Sequence, residues 1–487
     1  MANNNNKTPA IKKYDKTDYI PSKKSVMFGH HFTSIAGTGP IVGPAIGIIW
    51  GWVPAILWVF LGSIFMGAVH DFSCLVISMR NEGKSIADIT EQYINPRVRL
   101  LFFIIVCLAL WIVIAIFGLI IALLFARFPE SVIAVWLEIP IALLMGYISL
   151  KKHNNLLFFT SASVLLMYGT IFLGAYFPFE MPALFSIPPT GVWTIILLTY
   201  AFFASILPVS WLLQPRDFLN AWQLYIAIGI LCLGIIVTHF ASDFTITAPA
   251  LNLNPTGAPP MLPFLFITIA CGAISGFHSL VSSGTSSKQI AQEQDAKLVG
   301  FGSMLVEGGL ATLVIIAVTA GIGLSYITET GNVLTGLLAW EHHYGSWQAS
   351  TGLSAKLSAV VIGCSNIISS LGIPSSISIA IIGVFIASFA GTTLDSATRI
   401  QRYIISELFK NTSFKLAKNK WGATGIAVIS AAILAFSSGL SGKGALQLWP
   451  LFGAVNQLLA ALALLVASLY LKKNSTKYSY LLTAIPC

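Results

Sequence analysis

Twelve apolar stretches, each close to 20 residues and parted by short polar segments, leave this chain few ways to fold. A peptide group inside a lipid bilayer has no water to bond, so a spanning segment must close its own hydrogen bonds as a helix of roughly 20 residues. The stretches fall near residues 28–50, 54–79, 100–126, 131–150, 156–178, 191–213, 221–240, 262–283, 299–327, 376–395, 423–440 and 446–471. Only 9% of residues are charged and 56% are hydrophobic, against about 25% charged in soluble domains. The expected fold class is an all-α polytopic membrane protein of about 12 transmembrane helices. The stretch 353–371 is weaker, carrying Lys356 and Asn366 among its apolar residues, and reads as a re-entrant or surface element.

The formal net charge of +9 would suggest nucleic acid for a soluble chain, but here its placement marks a membrane side. Basic residues gather in the N-terminal segment, in the Arg80–Arg99, Lys288–Lys297 and Arg399–Lys420 loops, and at Lys151–Lys152 and Lys472–Lys473. The loops near 180, 245 and 330–350 are almost free of them. Twelve alternating crossings place the basic segments and both termini in the cytoplasm, provided 353–371 does not cross. Residues 1–25 are expected as a disordered cytoplasmic tail, 26–471 as one transmembrane domain and 472–487 as a second cytoplasmic tail. The partners implied are the lipid bilayer and a small molecule, not nucleic acid. The six cysteines contain no CxxC pair and read as isolated thiols.

A pattern within the apolar stretches carries more information. Gly29, His31, Gly37 and Thr38 recur as Gly276, His278, Gly284 and Thr285 at a constant offset of 247, and Gly62 recurs as Gly309. The first copy continues as Gly37-Thr38-Gly39-Pro40 with Gly43-Pro44, so missing Cβ atoms and missing amide donors coincide where a membrane helix should be continuous. Paired interruptions in two halves of a chain point to the central binding site of a transporter, and an odd number of crossings between the copies makes the halves inverted repeats. Repeat one begins near 26 and repeat two near 262. Glycine and proline also serve ordinary helix packing in membranes, and the duplication favours the functional reading over that one.

Ionisable residues inside apolar stretches are costly, about 2.5–3.5 kcal/mol for an aspartate at a helix centre, and therefore mark function by default. Asp71 lies within the second stretch and Glu307 in its counterpart, with snorkelling toward Arg80 and a packing kink as the respective structural alternatives. His31 and His278 can donate and accept protons near neutral pH, or can serve as hydrogen-bond partners between helices. Thr392, Thr393 and Asp395 offer oxygens suited to a proton or Na⁺, although Asp395 and Arg399 are also spaced as a helical ion pair. Asn456 and Gln457 read as ligands or as glue between helices. No Walker A loop, HExxH or nucleophile elbow is present, so nothing indicates an enzyme.

Together the blocks FGHHFTSIAGTGPIVGPAIG (28–47), GAVHDF (67–72), CGAISGFHSLVSSGTSSKQI (271–290), the EGG at 307, GTTLDSATR (391–399) and WPLFGAVNQLLA (449–460) resemble the carbon starvation protein A family of bacterial inner-membrane transporters. The resemblance implies uptake of peptides or pyruvate, with proton coupling proposed for the pyruvate importers. It implies similarity to the amino acid-polyamine-organocation superfamily, built on two inverted five-helix repeats whose first helices are unwound. On that comparison 28–50 and 262–283 are the broken helices, 353–371 is an external re-entrant element, and Thr392-Thr393 fall where sodium-coupled relatives hold an ion. Longer family members continue through further membrane segments.

The reading is a cation-coupled importer of a small carboxylate nutrient in the bacterial inner membrane. Gly37, Thr38, Gly39, Ser283, Gly284 and Thr285 are the expected substrate site. His31, Asp71, His278, Glu307, Thr392, Thr393 and Asp395 are the expected coupling residues, with H⁺ as the ion and Na⁺ as the alternative. No cofactor or catalytic metal is expected, although His30, His31 and Asp71 make a conceivable structural cation site. A channel, or a sensor serving a signalling partner, is the competing function.

Overall fold

The computed structural model describes residues 6–151, 156–241, 244–328, 331–348, 352–410, 412–474 and 478–487. The main helices are α1 (Lys24–Ala36), α2 (Gly39–Trp50), α3 (Trp52–Arg80), α4 (Pro96–Arg127), α5 (Pro129–Ile148), α6 (Leu157–Tyr176), α7 (Pro189–Ile206) and α8 (Leu213–Ala241). After them come α9 (Met261–Thr268), α10 (Gly276–Gly284), α11 (Glu293–Leu324), α12 (Leu353–Ser369), α13 (Ser375–Leu408), α14 (Lys420–Ala435) and α15 (Gly444–Asn474). Among the described residues the only strand pairing is a small hairpin, Tyr326–Ile327 with Val333–Leu334.

Among the described residues nine helices are long and apolar enough to cross a bilayer, and α1 with α2 makes a tenth span bent by 41°. The chain is thus an all-α, multi-pass membrane protein. Stretch 262–283 is broken, as expected, into α9 and α10 by residues 269–275, and 423–440 is shorter than foreseen, the 16-residue α14. Burial distinguishes the helices that line the centre from those that face outward. The apolar window of α13 is 94% buried, whereas that of α6 is 28% buried. Leu157, Leu165, Leu166 and Phe172 of α6 are exposed. Such leucines would be costly in water but are at home against acyl chains, which are as apolar as they are.

Of the two expected tails, residues 1–5 and 475–477 lie outside the described residues, and described residues of both are packed. The segment before α1 docks on the basic end of the helical body: Lys7 and Ser22 form backbone bridges with Gln292 and Ile290, and Thr8 and Ala10 are buried. Asp18 Oδ1 lies 3.0 Å from Arg399 and 3.6 Å from Arg402. Burial pushes the Asp18 carboxyl up, but Arg399 and Arg402 together outweigh that and hold it below its ordinary value. At the other terminus Thr483 is buried and shares a 2.8 Å hydrogen bond with Ser468 of α15. A hydrophobic reading cannot see either contact, because both rest on polar groups that pair only after the helices assemble.

Candidate functional site

The first break follows from local chemistry. α1 stops at Gly37, whose φ of +46° is a conformation open to glycine, and α2 restarts at Gly39 with Pro40 in its first turn, where a missing amide proton costs nothing. The second break runs from Ile269 to Ser275, with Gly272 at φ +88°. The two breaks lie against each other. A Cβ on Gly43 would come within 2.6 Å of the Thr268 carbonyl oxygen, and Gly39 abuts Cys271. Between them is a cavity of about 20 Å³ lined by Gly37, Gly39, Phe117, Cys271, Phe277 and Thr393, room for one water. The buried hydroxyls of Thr38 and Thr393 have no hydrogen-bond partner.

Backbone freed by unwinding must be satisfied by neighbours at membrane depth. Two adjacent amides of α15 do this on both flanks of the second break. Asn456 Oδ1 accepts from the Phe277 N–H at 2.8 Å and from Ser275 Oγ at 3.2 Å, while Gln457 Nε2 donates to the Phe266 carbonyl at 2.8 Å. These residues hold helix to helix, the structural alternative weighed from the sequence.

A buried chain of ionisable groups leads to the same break. His70 Nδ1 lies 2.7 Å from Asp71 Oδ1, and His278 Nδ1 lies 2.9 Å from Asp71 Oδ2. The other ring nitrogen of His278 faces Glu307 Oε2 at 3.4 Å, and Glu307 Oε1 accepts from the Gly272 N–H at 3.1 Å. All four side chains are fully buried. α3 supplies Asp71, α10 His278 and α11 Glu307, so three separate elements converge on the unwound backbone. Asp71 does not pair with Arg80, which instead binds Glu293 at 2.8 Å.

A second buried network braces α5, α7, α8 and α13. The Arg216 guanidinium reaches Glu138 Oε1 at 2.8 Å and Asp395 Oδ2 at 2.6 Å, and the Tyr200 hydroxyl donates to the same Asp395 oxygen at 2.9 Å. Next to Arg216, Asp217 holds His30 Nδ1 at 2.5 Å and accepts from Ser34 Oγ at 3.3 Å. The Asp395–Arg399 pair weighed as the structural alternative does not form: Asp395 turns inward to Arg216, and Arg399 pairs with Asp18 and the Leu207 carbonyl. Glu138, Arg216, Asp217, His70 and Tyr200 were not foreseen as site residues. Glu138 was detectable as an acid inside an apolar stretch, whereas Arg216 and Asp217 fell between two predicted crossings and lie in fact within α8.

The expected substrate residues separate. Gly37 and Gly39 line the cavity and Thr38 adjoins it, but Ser283, Gly284 and Thr285 end α10 and do not form the second break. Ser283 Oγ accepts from the Ile86 N–H at 3.0 Å, Gly284 packs on Ile400, and Thr285 Oγ1 donates to the Val281 carbonyl at 3.0 Å. The echo at offset 247 is thus not the register in which the breaks correspond. The start of the first copy instead meets the segment just after the second, with His31 Nδ1 2.8 Å from Ser286 Oγ and His30 Nε2 3.3 Å from Gln289. His30 and His31 have different partners, so they share no ligand sphere with Asp71. Thr392 Oγ1 accepts from Asn220 at 3.2 Å and donates to the Ser388 carbonyl at 3.1 Å, while Thr393 faces Gly37 across the cavity wall.

An all-α membrane body with two broken helices meeting at a buried acid–histidine chain defines the class of membrane transporters. The chain matches the family model described as carbon starvation protein CstA over residues 1–487, and it belongs to that family. It is 33% identical to the peptide transporter CstA of Bacillus subtilis (strain 168), over 99% of this chain and 82% of that protein. It is 31% identical to the pyruvate/proton symporter BtsT of Escherichia coli (strain K12), over 98% of this chain and 74% of that one. Among solved structures, that of MhsT in complex with L-phenylalanine matches with a TM-score of 0.52 at 11% identity, covering 96% of this chain and 95% of MhsT. That last likeness is one of fold.

Proposed function

We propose that this chain is a proton-coupled importer of pyruvate or a short peptide, working by alternating access in the bacterial inner membrane with both termini in the cytoplasm. The observation that carries the reading is the buried chain from Asp71 through His278 to Glu307, ending on the Gly272 amide in the second break. Relatives named as a pyruvate/proton symporter and as peptide transporters support both the ion and the two cargo classes.

The coupling follows from competition for one donor. Glu307 holds the Gly272 N–H, most strongly when it is ionised, and amides at helix breaks are the groups that receive a substrate carboxylate. Two carboxylates cannot share that amide in a dry site without strong repulsion. A proton passed from Asp71 across the two nitrogens of His278 neutralises Glu307 and frees the amide. Proton and substrate anion then load together, which is the condition for symport. Gly37, Thr38, Gly39 and Thr393 form the remaining wall of the substrate site, and the small cavity between the breaks widens as the bundle rocks open. Asp395, held by Arg216 and Tyr200, belongs to the scaffold brace in this reading, and Ser283, Gly284 and Thr285 to helix packing.

The test is uptake of labelled pyruvate and of a labelled dipeptide into proteoliposomes holding this protein alone, with an inward proton gradient and without one. Accumulation of one cargo that collapses with a protonophore is the expected result. Equilibration without accumulation would make the protein a channel or uniporter, and absence of flux for both cargoes would overturn the importer.

A further inference from the structure

Lys356 stands in the first turn of α12, at the end of the molecule opposite the basic one, and only 1% of it is exposed. It has no ion pair with any described residue, and its ammonium lies 3.7 Å from the centre of the Tyr344 ring. Burial drives its pKa well down, with no carboxylate among the described residues opposing the shift. The position aggravates the cost. A helix N-terminus already carries partial positive charge, and Gly352 caps α12 without a side-chain oxygen for its first amides. A lysine four residues into a helix lies back over that first turn, so ammonium and amide dipoles present the same sign to the same place.

A third group that can bind an anion is close. His343, on the short helix Gly336–Tyr344, is buried and its Nε2 has no partner among the described residues. Burial, then the charges of His342 and Lys356, push its pKa down to about 4. A neutral ring with a free nitrogen can donate a hydrogen bond without adding charge. The cluster is also tied to the broken helix. Trp340 stacks on Tyr344 at 4.2 Å, and the Tyr344 hydroxyl donates to the Ala45 carbonyl of α2 at 2.7 Å.

We propose that Lys356, the first turn of α12 and His343 form an anion site that receives the substrate carboxylate before it reaches the break between α1 and α2. The proposal rests on the importer reading for its ligand, and a carboxylate there supplies the counter-charge that no described residue gives this end of α12. The aromatic pair Trp340 and Tyr344 flanks the site with apolar surface for the remainder of a small organic anion. Delivery to α2 runs through the Tyr344–Ala45 contact.

The experiment measures acetylation of Lys356 in the purified full-length protein by an N-hydroxysuccinimide ester, read by peptide mass, in pyruvate or in chloride at equal ionic strength. Pyruvate is expected to slow the reaction at least threefold and chloride to leave it unchanged. Equal protection by chloride would make this an inorganic-anion site and overturn the assignment, as would no protection by either. In proteoliposomes Lys356→Gln is expected to raise KM about tenfold with kcat within twofold, and Lys356→Arg to keep both. A fall in kcat at unchanged KM would overturn the proposal, and the Arg variant controls for folding. Should wild-type vesicles carry neither cargo while pyruvate still protects Lys356, the anion site stands and the importer falls.

Discussion

Glu307 bonds the Gly272 amide with one oxygen and faces His278 with the other, so its charge state reports on the break and on the proton route together. A glutamine there mimics the protonated acid but carries no proton. Glu307→Gln is therefore expected to cut gradient-driven accumulation at least tenfold while leaving exchange of labelled for unlabelled substrate; loss of exchange as well would assign Glu307 to folding or to substrate contact. Arg216 makes the opposite case. Its removal strands Glu138 and Asp395 as buried charges, and Arg216→Gln is expected to cost roughly 3–5 kcal/mol in thermal unfolding of the detergent-solubilised protein. Asp71, His278 and Glu307 were legible because each interrupts an apolar stretch, where an ionisable group needs a reason. Which of them touch was not legible, since their partners come from helices more than 200 residues apart in sequence for Asp71 and His278.

At the scale of elements, the breaks depend on helices that lend them hydrogen bonds. Asn456→Ala would leave the Phe277 amide unpaired and is expected to destabilise the second break by about 1–3 kcal/mol, seen as faster hydrogen exchange across residues 271–277 with little change in α13. Uniform exchange throughout would refute that local role. At the first break, Gly37→Ala forces a side chain into a backbone conformation worth about 1–3 kcal/mol of strain and drives it against Thr393, so the unfolding temperature should fall. The glycine-histidine echo illustrates how composition and register differ. It located two helices correctly, but the freed backbone of the second falls at Ile269–Ser275, where α11 and α15 supply partners, and not at Gly284-Thr285.

For the whole molecule, the segment before α1 adds a layer to the basic end through Asp18, Arg399 and Arg402. The Asp18 carboxyl is held below its ordinary value in the folded protein, so its contribution is complete above the unfolded value of about 3.9 and is lost as pH falls through the lower folded one. Protease cleavage before Lys24 should accordingly stay slow from neutrality down to about pH 4 and rise below it. Asp18→Asn should raise cleavage above about pH 4, by an amount equivalent to roughly 3 kcal/mol of lost docking, and should converge on the wild type in stronger acid, where Asp18 is itself uncharged. Cleavage independent of both would show that the backbone bridges of Lys7 and Ser22 hold the segment without the ion pair.

Apolar length and scarce charge determined, from the sequence alone, that the chain is a helical membrane protein, because a bilayer admits so few ways of satisfying a backbone. Gly37 and its neighbours determined that the first helix breaks, since missing Cβ atoms and amide donors act locally. The position of the second break, the pairing of Asp395 with Arg216 in place of Arg399, and the packing of both terminal segments were decided by tertiary structure. Each depends on which polar groups distant helices bring within hydrogen-bonding reach, and distance in space is not written in local sequence.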